Sequence, residues 1–104
     1  MKPVPILTHT WSYEGTTRLI ELKVIVDNLG SANATGVYVE AGFDAGNDTW
    51  WNSKESLKAD IGVNGSVTYT MSLRPPAGEY TRLIVKIIYN GYSVDKSYSK
   101  WFKP

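Results

Sequence analysis

The stretch Leu19–Gly36, LIELKVIVDNLGSANATG, decides how this chain folds. Its first half alternates between polar residues and four apolar ones, Ile20, Leu22, Val24 and Val26. A period of two predicts a strand with one buried face and one solvated face. The second half is a run of small and turn-forming residues, after which Val37–Phe43 alternates again. Two such strands joined by a wide polar turn predict an antiparallel β-domain.

Alternating segments also flank this stretch. We predict a first strand over Ile6–Tyr13 and, after the middle of the chain, further strands over Ser66–Arg74, Glu79–Asn90 and Val94–Phe102. Ser53–Ile61 fits either a short strand or one capped helical turn. The positions of these segments leave one long connection in the middle of the chain.

Two Asn-Gly pairs indicate hairpin turns. Asn64-Gly65 and Asn90-Gly91 favour tight turns because both residue types tolerate a positive φ angle. After the second turn, Lys96 and Lys100 share the parity of the apolar residues of the last strand. This parity predicts lysines that point inward and block edge-to-edge pairing with another sheet.

The segments amount to about seven strands and no helix, with turn signals roughly every 8–12 residues. This pattern predicts an all-β fold, an immunoglobulin-like Greek-key β-sandwich of about seven antiparallel strands. A barrel is the alternative, but the long middle connection fits a sandwich better. We expect six residues to dominate the core: Leu22, Val24, Val39, Phe43, Met71 and Val85.

Length and composition limit the possible functions. The 104 residues suit a single domain over 1–104, and a net charge of +1 argues against a nucleic-acid partner, which would need a basic footprint. The chain has no cysteine, so disulfides and thiolate metal sites are excluded. No apolar run is long enough for membrane insertion. The N-terminus lacks a signal-peptide core, so we expect either an intracellular protein or a segment of a longer exported chain.

Two segments carry a family resemblance. Val24–Val39 contains a strand that ends in Asn28-Leu29-Gly30, then small residues, then a strand that begins at Val37. In these features it resembles the CARDB (cell adhesion related domain found in bacteria) type of domain. The segment Leu73–Val85, LRPPAGEYTRLIV, is similar to the Pro/Gly corner before that family's penultimate strand.

The resemblance implies a seven-stranded sandwich from a large bacterial or archaeal surface protein, often in tandem copies. It implies non-catalytic work in adhesion or scaffolding, at the cell surface or outside the cell. The implied partners are proteins or glycans at the cell surface and neighbouring domains of the same chain, and the isolated domain is expected to be monomeric. One position departs from related sandwiches: Tyr80 shares its parity with Arg82 and Lys86, which argues against a buried corner tyrosine there.

Catalytic motifs are scarce in this sequence. His9 is the only histidine, and neither a cysteine nor a Gly-x-Ser-x-Gly elbow occurs. The carboxylates are scattered over positions where solvated charges are expected, and they do not form an obvious glycosidase pair. We therefore expect no enzymatic activity of this domain, with an accessory β-sandwich domain of a secreted enzyme as one alternative function. We expect His9 to be a partly exposed residue of an edge strand.

The loop Asp44-Ala45-Gly46-Asn47-Asp48 places three oxygen-bearing side chains around a glycine. Calcium takes six to eight oxygen ligands, so Asp44, Asn47 and Asp48 are candidate ligands, although the glutamate that closes an EF-hand loop is missing. The alternative is an Asx-type turn between two strands. We favour the turn and expect no cofactor, with calcium as the only candidate.

The pair Trp50-Trp51 suggests a binding surface. Adjacent residues of a strand point to opposite faces, so at most one of the two rings belongs to the core. An exposed tryptophan stacks well on a sugar ring, and Tyr38 and Tyr92 are candidate companions in a carbohydrate-binding site. The alternative, which we favour, is a tryptophan that caps one end of the sandwich against Trp11 or Trp101.

Three sequons for N-glycosylation lie in predicted turns and begin at Asn33, Asn47 and Asn64. Chance predicts about one sequon at this composition, and turns are rich in Asn, Ser and Thr in any case. The sequons agree with an exported module, and plain turn chemistry explains them equally well.

Basic residues recur on the last two predicted strands: Arg82, Lys86, Lys96 and Lys100. Glu21 and Glu40 also have outward parities. We interpret the combination as a solvated face of mixed charge.

Overall fold

The computed structural model describes residues 3–15, 19–47, 50–76 and 78–103, and in these residues it contains eight β-strands and no helix. The strands are β1 (Leu7–Gly15), β2 (Ile20–Asn28), β3 (Ala34–Asp44), β4 (Trp51–Glu55), β5 (Ala59–Ile61), β6 (Ser66–Leu73), β7 (Arg82–Tyr89) and β8 (Tyr92–Tyr98).

The strands form two antiparallel sheets that pack face to face. The first sheet has the order β1-β2-β6, and the second has the order β4-β3-β7-β8, with β5 also paired to β3. The all-β sandwich predicted from the sequence is thereby confirmed. The predicted strand count was one too low, because the segment from Ser53 to Ile61 belongs to two short strands, β4 and β5, and forms no helical turn.

The buried layer between the sheets follows the alternation of the sequence. In β2 the residues at even positions from Ile20 to Val26 are buried, and in β3 the odd positions from Val37 to Phe43 are buried as well. Of the six expected core residues, five are almost fully buried, and Met71 is partly buried against them. A buried aliphatic or aromatic side chain of this kind contributes about 1.5–3 kcal/mol, so this layer is the main source of stability.

Asn28 is the buried centre of the wide turn after β2. Its Oδ1 accepts hydrogen bonds from the backbone amides of Ile6 (3.2 Å) and Gly30 (3.0 Å), and its Nδ2 donates to the carbonyls of Ala32 (2.8 Å) and Ile61 (3.1 Å). Because every polar atom of the side chain is paired, its burial is not penalised. One side chain thus ties together the N-terminal segment, the turn and β5.

The surroundings of Gly30 explain why the Asn-x-Gly pattern needs a glycine at this position. The N-terminal segment crosses directly over it, so a Cβ atom at position 30 would lie 2.2 Å from the carbonyl oxygen of Val4. The amide of Ser31 donates to that same oxygen at 2.9 Å. Only a residue without a side chain permits this approach.

The two Asn-Gly pairs form different turns. Asn90 and Gly91 both have positive φ, as expected for the two-residue hairpin between β7 and β8. In the other pair only Asn64 has positive φ, because the turn runs from Gly62 to Gly65 and its closing hydrogen bond joins Gly65 N to Gly62 O at 2.9 Å. The tight turn was correctly predicted, but its centre lies one residue earlier. The predicted hairpin is wrong, because the turn connects β5 and β6, which lie in different sheets: β5 pairs with β3 and β6 pairs with β2.

The face assignment of the last strand was wrong. Lys96 lies opposite Lys86 on the outer face, and Tyr98 lies opposite Ile84 on that same face. The inward positions belong to Asp95 and Ser97, whose polar side chains are paired with β1. The side of β8 that carries its apolar residues therefore faces out, because the inward side forms polar contacts.

Tyr80 is 64% exposed, which confirms that it is not a corner tyrosine.

Candidate functional site

Aromatic rings and cations alternate on the outer face of the second sheet. We call this surface the cation–aromatic face, and it consists of Trp50, Arg82, Lys86, Lys96, Tyr98 and Trp101. Gly42, Ile84 and Tyr98 form one row across β3, β7 and β8, and the ring of Trp50 lies over the Gly42 end of that row. The sheet therefore fixes the spacing between the rings.

Trp50 depends on a glycine beneath it. A Cβ atom at position 42 would lie 2.9 Å from Cζ3 of Trp50, so the ring rests directly on the backbone of β3. The ammonium of Lys86 lies 4.2 Å from the centre of the same ring. At this distance the ammonium group is stabilised by a cation–π interaction with the indole ring.

Arg82 organises the other end of the face. Its guanidinium lies 4.2 Å from the centre of the Tyr98 ring and 4.9 Å from that of Trp101. Its Nε donates to Oδ2 of the buried Asp44 at 2.9 Å, which fixes the position of the cation. Lys96 approaches Tyr98 as well, with Nζ 5.4 Å from the ring centre.

Two lysines of this face are direct cross-strand neighbours. Lys86 and Lys96 pair in the register of β7 and β8, and like charges in that position repel each other. Glu40 lies opposite Lys86 on the other side, yet no carboxylate of the described residues comes within 4.0 Å of either ammonium. Both lysines instead lie over aromatic rings, Lys86 over Trp50 and Lys96 over Tyr98.

The four predicted sugar-binding residues do not form one cluster. Trp50 lies on the outer face, as does Tyr38, which pairs with Ile88 and has the ammonium of Lys58 at 5.6 Å from its ring. Trp51 pairs with Phe43 and Tyr92 pairs with Tyr89, which directs both to the opposite side of the sheet. Both are solvent-exposed. Whether any of the four binds a sugar stays a prediction.

Tyr98 and Trp101 were not predicted from the sequence as binding residues. The available signal was the spacing of Lys96 and Tyr98, which are two apart and therefore share a face with each other. Because Lys96 and Tyr98 were assigned to the core side of the last strand, the cation–aromatic face was not predicted. Trp101 follows β8 and reaches Arg82 because the chain continues antiparallel to the start of β7, where Phe102 bridges to Thr81.

His9 joins the two sheets at one edge of the sandwich. Its Nδ1 lies 2.6 Å from Oδ2 of Asp95, its Nε2 lies 2.7 Å from Oγ of Ser97, and Nε1 of Trp11 donates to the same Oγ at 2.6 Å. We call these four residues the edge clasp. The expected edge strand is correct, and the residue as a whole is partly exposed as predicted, although its imidazole ring is only 4% exposed.

Serine, histidine and aspartate in this order have the distances of a catalytic triad. Because the carboxylate only accepts hydrogen bonds, Nδ1 of His9 carries a proton directed at Asp95, while Nε2 shares the other hydrogen bond with the hydroxyl of Ser97. Nucleophilic attack also needs donors placed around a reacting oxygen next to the serine. In the edge clasp, Trp11 and His9 both bond to Oγ of Ser97, and His9 is buried between the sheets. Both nitrogens of the imidazole and the hydroxyl of Ser97 thus have partners within the clasp, as in a structural bridge.

The loop after β3 forms an Asx-type turn. Oδ1 of Asp44 accepts from the amide of Gly46 at 2.8 Å, and Oδ2 accepts from Arg82. The guanidinium thus supplies a positive charge at the carboxylate that was proposed as a calcium ligand. Asp48 lies outside the described residues, and within them no group of three or more acidic or histidine side chains is placed to hold a metal ion. Calcium binding by Asp44, Asn47 and Asp48 stays a prediction.

The asparagines of the three sequons lie at the surface. Asn33 and Asn64 are exposed, and Oδ1 of Asn33 accepts from the amide of Val63 at 3.1 Å. Asn47 is also exposed, but the rest of its sequon lies outside the residues that the structure describes. Glycosylation of these sites stays a prediction.

One ionisable group of the core has a displaced pKa. Tyr69 is buried in β6, and its hydroxyl donates to the carbonyl of Val37 at 2.8 Å. Burial, together with a smaller effect of the Asp60 carboxylate, raises the pKa of the Tyr69 phenol above its ordinary value. The phenol therefore links the two sheets in its neutral form.

A search of solved structures finds the same fold in a domain from an archaeon. That protein is the CARDB domain of a Pyrococcus furiosus protein, crystallised in complex with di-metal ions. The TM-score is 0.62 at 17% sequence identity, and the match covers 90% of this chain and 84% of that chain. At this identity the likeness concerns the fold. The CARDB resemblance of the sequence is thus matched by a CARDB fold.

Neither of the two sequence comparisons finds a match, whether with protein-family models or with curated proteins. Within the described residues, no helix is long and apolar enough to cross a membrane.

Proposed function

We propose that this domain is a non-catalytic module of an exported prokaryotic surface protein, which spaces or presents neighbouring domains and takes part in adhesion. The observation that supports the proposal is the placement of its two terminal segments. Val4 and Ile6 are hydrogen-bonded beside Asn28, where β2 ends, whereas Phe102 is bonded to Thr81, just before β7 begins. These positions are opposite ends of the antiparallel strands.

The shape of the molecule agrees with a spacer. It extends 49 × 25 × 19 Å, and the chain enters at one end of the strands and leaves at the other. Domains joined in this way lie in a row, and each adds its long dimension to the reach of the array. The CARDB neighbour gives this proposal its surface context, since the name of that domain refers to cell adhesion.

Tension between the termini would act on β1 and β8. The N-terminal segment leads into the start of β1, and β8 leads into the C-terminal segment. A pull along these strands loads the hydrogen bonds to β2 and β7 together, in shear, and does not open them one at a time. The edge clasp connects β1 directly to β8. We therefore propose that the clasp carries part of the load from one sheet to the other.

Force spectroscopy tests the proposal. A tandem array of the domain, pulled through its termini, should unfold in separate steps that each release roughly 300 Å of chain, at about 3.5 Å per residue. The chain has no cysteine, so Ser93→Cys gives a unique handle at the end where β1 begins. Pulling between the N-terminus and position 93 should need a lower force, because both handles then lie at one end. Equal forces in the two geometries would contradict a load-bearing role.

The remaining parts of the proposal concern the binding partners and the oligomeric state. Proteins or glycans at the cell surface and neighbouring domains of the same chain are the proposed partners, and the isolated domain is proposed to be monomeric. The di-metal ions of the archaeal neighbour are not proposed for this chain, because among the described residues no group of three or more acidic or histidine side chains is placed to hold a metal ion.

A further inference from the structure

We infer that the cation–aromatic face binds an acidic polysaccharide, a glycan whose sugar rings carry carboxylate groups. The inference deepens the adhesive part of the proposed function and rests on it, since it names the class of ligand that the module would hold. The spacing function depends on the backbone bonds of the terminal segments and on the edge clasp, whose Asp95 and Ser97 lie on the inner side of β8, whereas Lys96 and Tyr98 lie on its outer side.

The rings provide the stacking surface. Tyr98 is 41% exposed and Trp101 is 46% exposed, and both belong to an ordered arrangement fixed by Arg82. When the apolar side of a sugar packs on a large exposed ring, apolar surface is removed from water. Little conformational freedom is lost, because the ring is already held in place. Arg82 is itself held by the buried Asp44, so the platform is formed before any ligand arrives.

The charges select an acidic sugar over a neutral one. Lys86 and Lys96 are cross-strand neighbours, and no carboxylate of the described residues lies within 4.0 Å of their ammonium groups. A carboxylate of the ligand placed near both would relieve their repulsion and supply the missing counter-charge. The lysines are restrained by the rings of Trp50 and Tyr98, so little side-chain freedom is lost on binding.

The neighbouring acids argue against a continuous polyanion. Glu40 lies beside Lys86 in the same row, and Glu55 lies beside Glu40, so the positive strip spans only β7 and β8. A nucleic acid or another chain of closely spaced phosphates would meet these carboxylates. A glycan with one carboxylate per sugar or fewer fits a narrow strip between acids and aromatic rings.

Affinity electrophoresis with two matched polymers tests the inference. Carboxymethylcellulose and hydroxyethylcellulose share one backbone, and only the first carries carboxylates. We expect the intact domain to be retarded by carboxymethylcellulose and not by hydroxyethylcellulose. Lys96→Gln and Trp101→Ala should each weaken retardation about fivefold or more. This is the effect expected when one ion pair or one stacking contact is lost from a partly desolvated site. Lys23→Gln removes an exposed lysine from the outer face of the other sheet and should have no effect.

Several outcomes would overturn the inference. These are equal retardation by both polymers, retardation that Trp101→Ala leaves unchanged, retardation that Lys23→Gln weakens as much as Lys96→Gln, and no retardation by carboxymethylcellulose at low salt. The thermal midpoint of each variant is measured in parallel, and Lys96→Gln, at an exposed position, provides the decisive comparison if Trp101→Ala does not fold. None of these outcomes alters the force experiment, so failure of the ligand inference is distinct from failure of the spacer proposal.

Discussion

His9 and Asp95 are 86 residues apart in sequence, and their side chains meet at 2.6 Å, from Nδ1 to Oδ2. The contact connects an edge strand of one sheet to an edge strand of the other. It lies beside the hydrophobic layer at a place where apolar packing alone would leave the sandwich open. A polar bridge is stable there because each of its groups has a partner.

Removal of the imidazole should destabilise the domain. His9→Ala deletes a buried ring and removes the histidine bonds of Asp95 and Ser97, although Ser97 keeps its bond from Trp11, and we expect a loss of about 2–3 kcal/mol in the free energy of unfolding. Thr10→Ala changes the neighbouring, exposed residue of the same strand and should cost less than about 0.5 kcal/mol. Urea denaturation followed by tryptophan fluorescence measures both. Equal effects of the two substitutions would show that the bridge adds no stability.

Asn28 should be the most sensitive polar residue of the fold. Asn28→Asp replaces the two donors to Ala32 and Ile61 with an oxygen that faces their carbonyls, in a fully buried position. We expect a loss of about 3 kcal/mol or more, measured by equilibrium denaturation. Asn33→Ala is the control, because this exposed residue accepts a single hydrogen bond. A variant Asn28→Asp as stable as the control would refute the role of Asn28 as the centre of the turn.

Alkaline conditions should weaken the domain through Tyr69. The folded state raises the pKa of this phenol, whereas the unfolded chain loses the proton near pH 10. Above that pH the unfolded state binds fewer protons than the folded one, so the free energy of unfolding falls as pH rises. Stability is therefore complete below about pH 10 and decreases above it.

The substitution Tyr69→Phe isolates this contribution. It removes the hydrogen bond to Val37, which should cost about 1 kcal/mol at neutral pH, and it should also make the decline above pH 10 shallower. Tyr92→Phe changes an exposed phenol and serves as the control. Denaturation curves at pH 7 to 11 provide the measurement, and identical slopes for wild type and Tyr69→Phe would contradict the assignment.

Calcium should leave the stability unchanged. The carboxylate of Asp44 bonds to the guanidinium of Arg82 and to the amide of Gly46, so a calcium ion would have to displace a cation that is already in place. We expect thermal midpoints with millimolar calcium and with a chelator to agree within a degree. A rise that depends on calcium concentration and is abolished by Asp44→Asn would instead establish the site of Asp44, Asn47 and Asp48.

The sequence predicted the parts of the fold in which hydrophobic periodicity alone decides the outcome. Strands β2, β3 and β6 face the core as their alternation requires, because one face of each is apolar. The last strand was assigned the wrong face, because Tyr98 appears apolar in a pattern yet packs on the outer surface against Arg82. Its inward residues, Asp95 and Ser97, are polar because they bond to β1, and this pairing follows from the arrangement of the two sheets.

The candidate site was only partly predictable for the same reason. Trp50 was selected as an unusual residue, but its position depends on Gly42, which lies on another strand. Arg82, Tyr98 and Trp101 come together through the register of β7 and β8 and the return of the chain toward Thr81. Contacts of this kind depend on strand order, which periodicity does not specify.

The most direct test of the load path is the unfolding force of the Ser97→Ala variant, pulled through its termini in a tandem array. The matched control is Met71→Ala in β6, which weakens the core and lies on neither of the two loaded strands. If β1 and β8 transmit force through the edge clasp, Ser97→Ala should lower the unfolding force more than Met71→Ala does, even though the core substitution costs more in equilibrium stability. A force that follows equilibrium stability in both variants, with no additional loss in Ser97→Ala, would contradict the account.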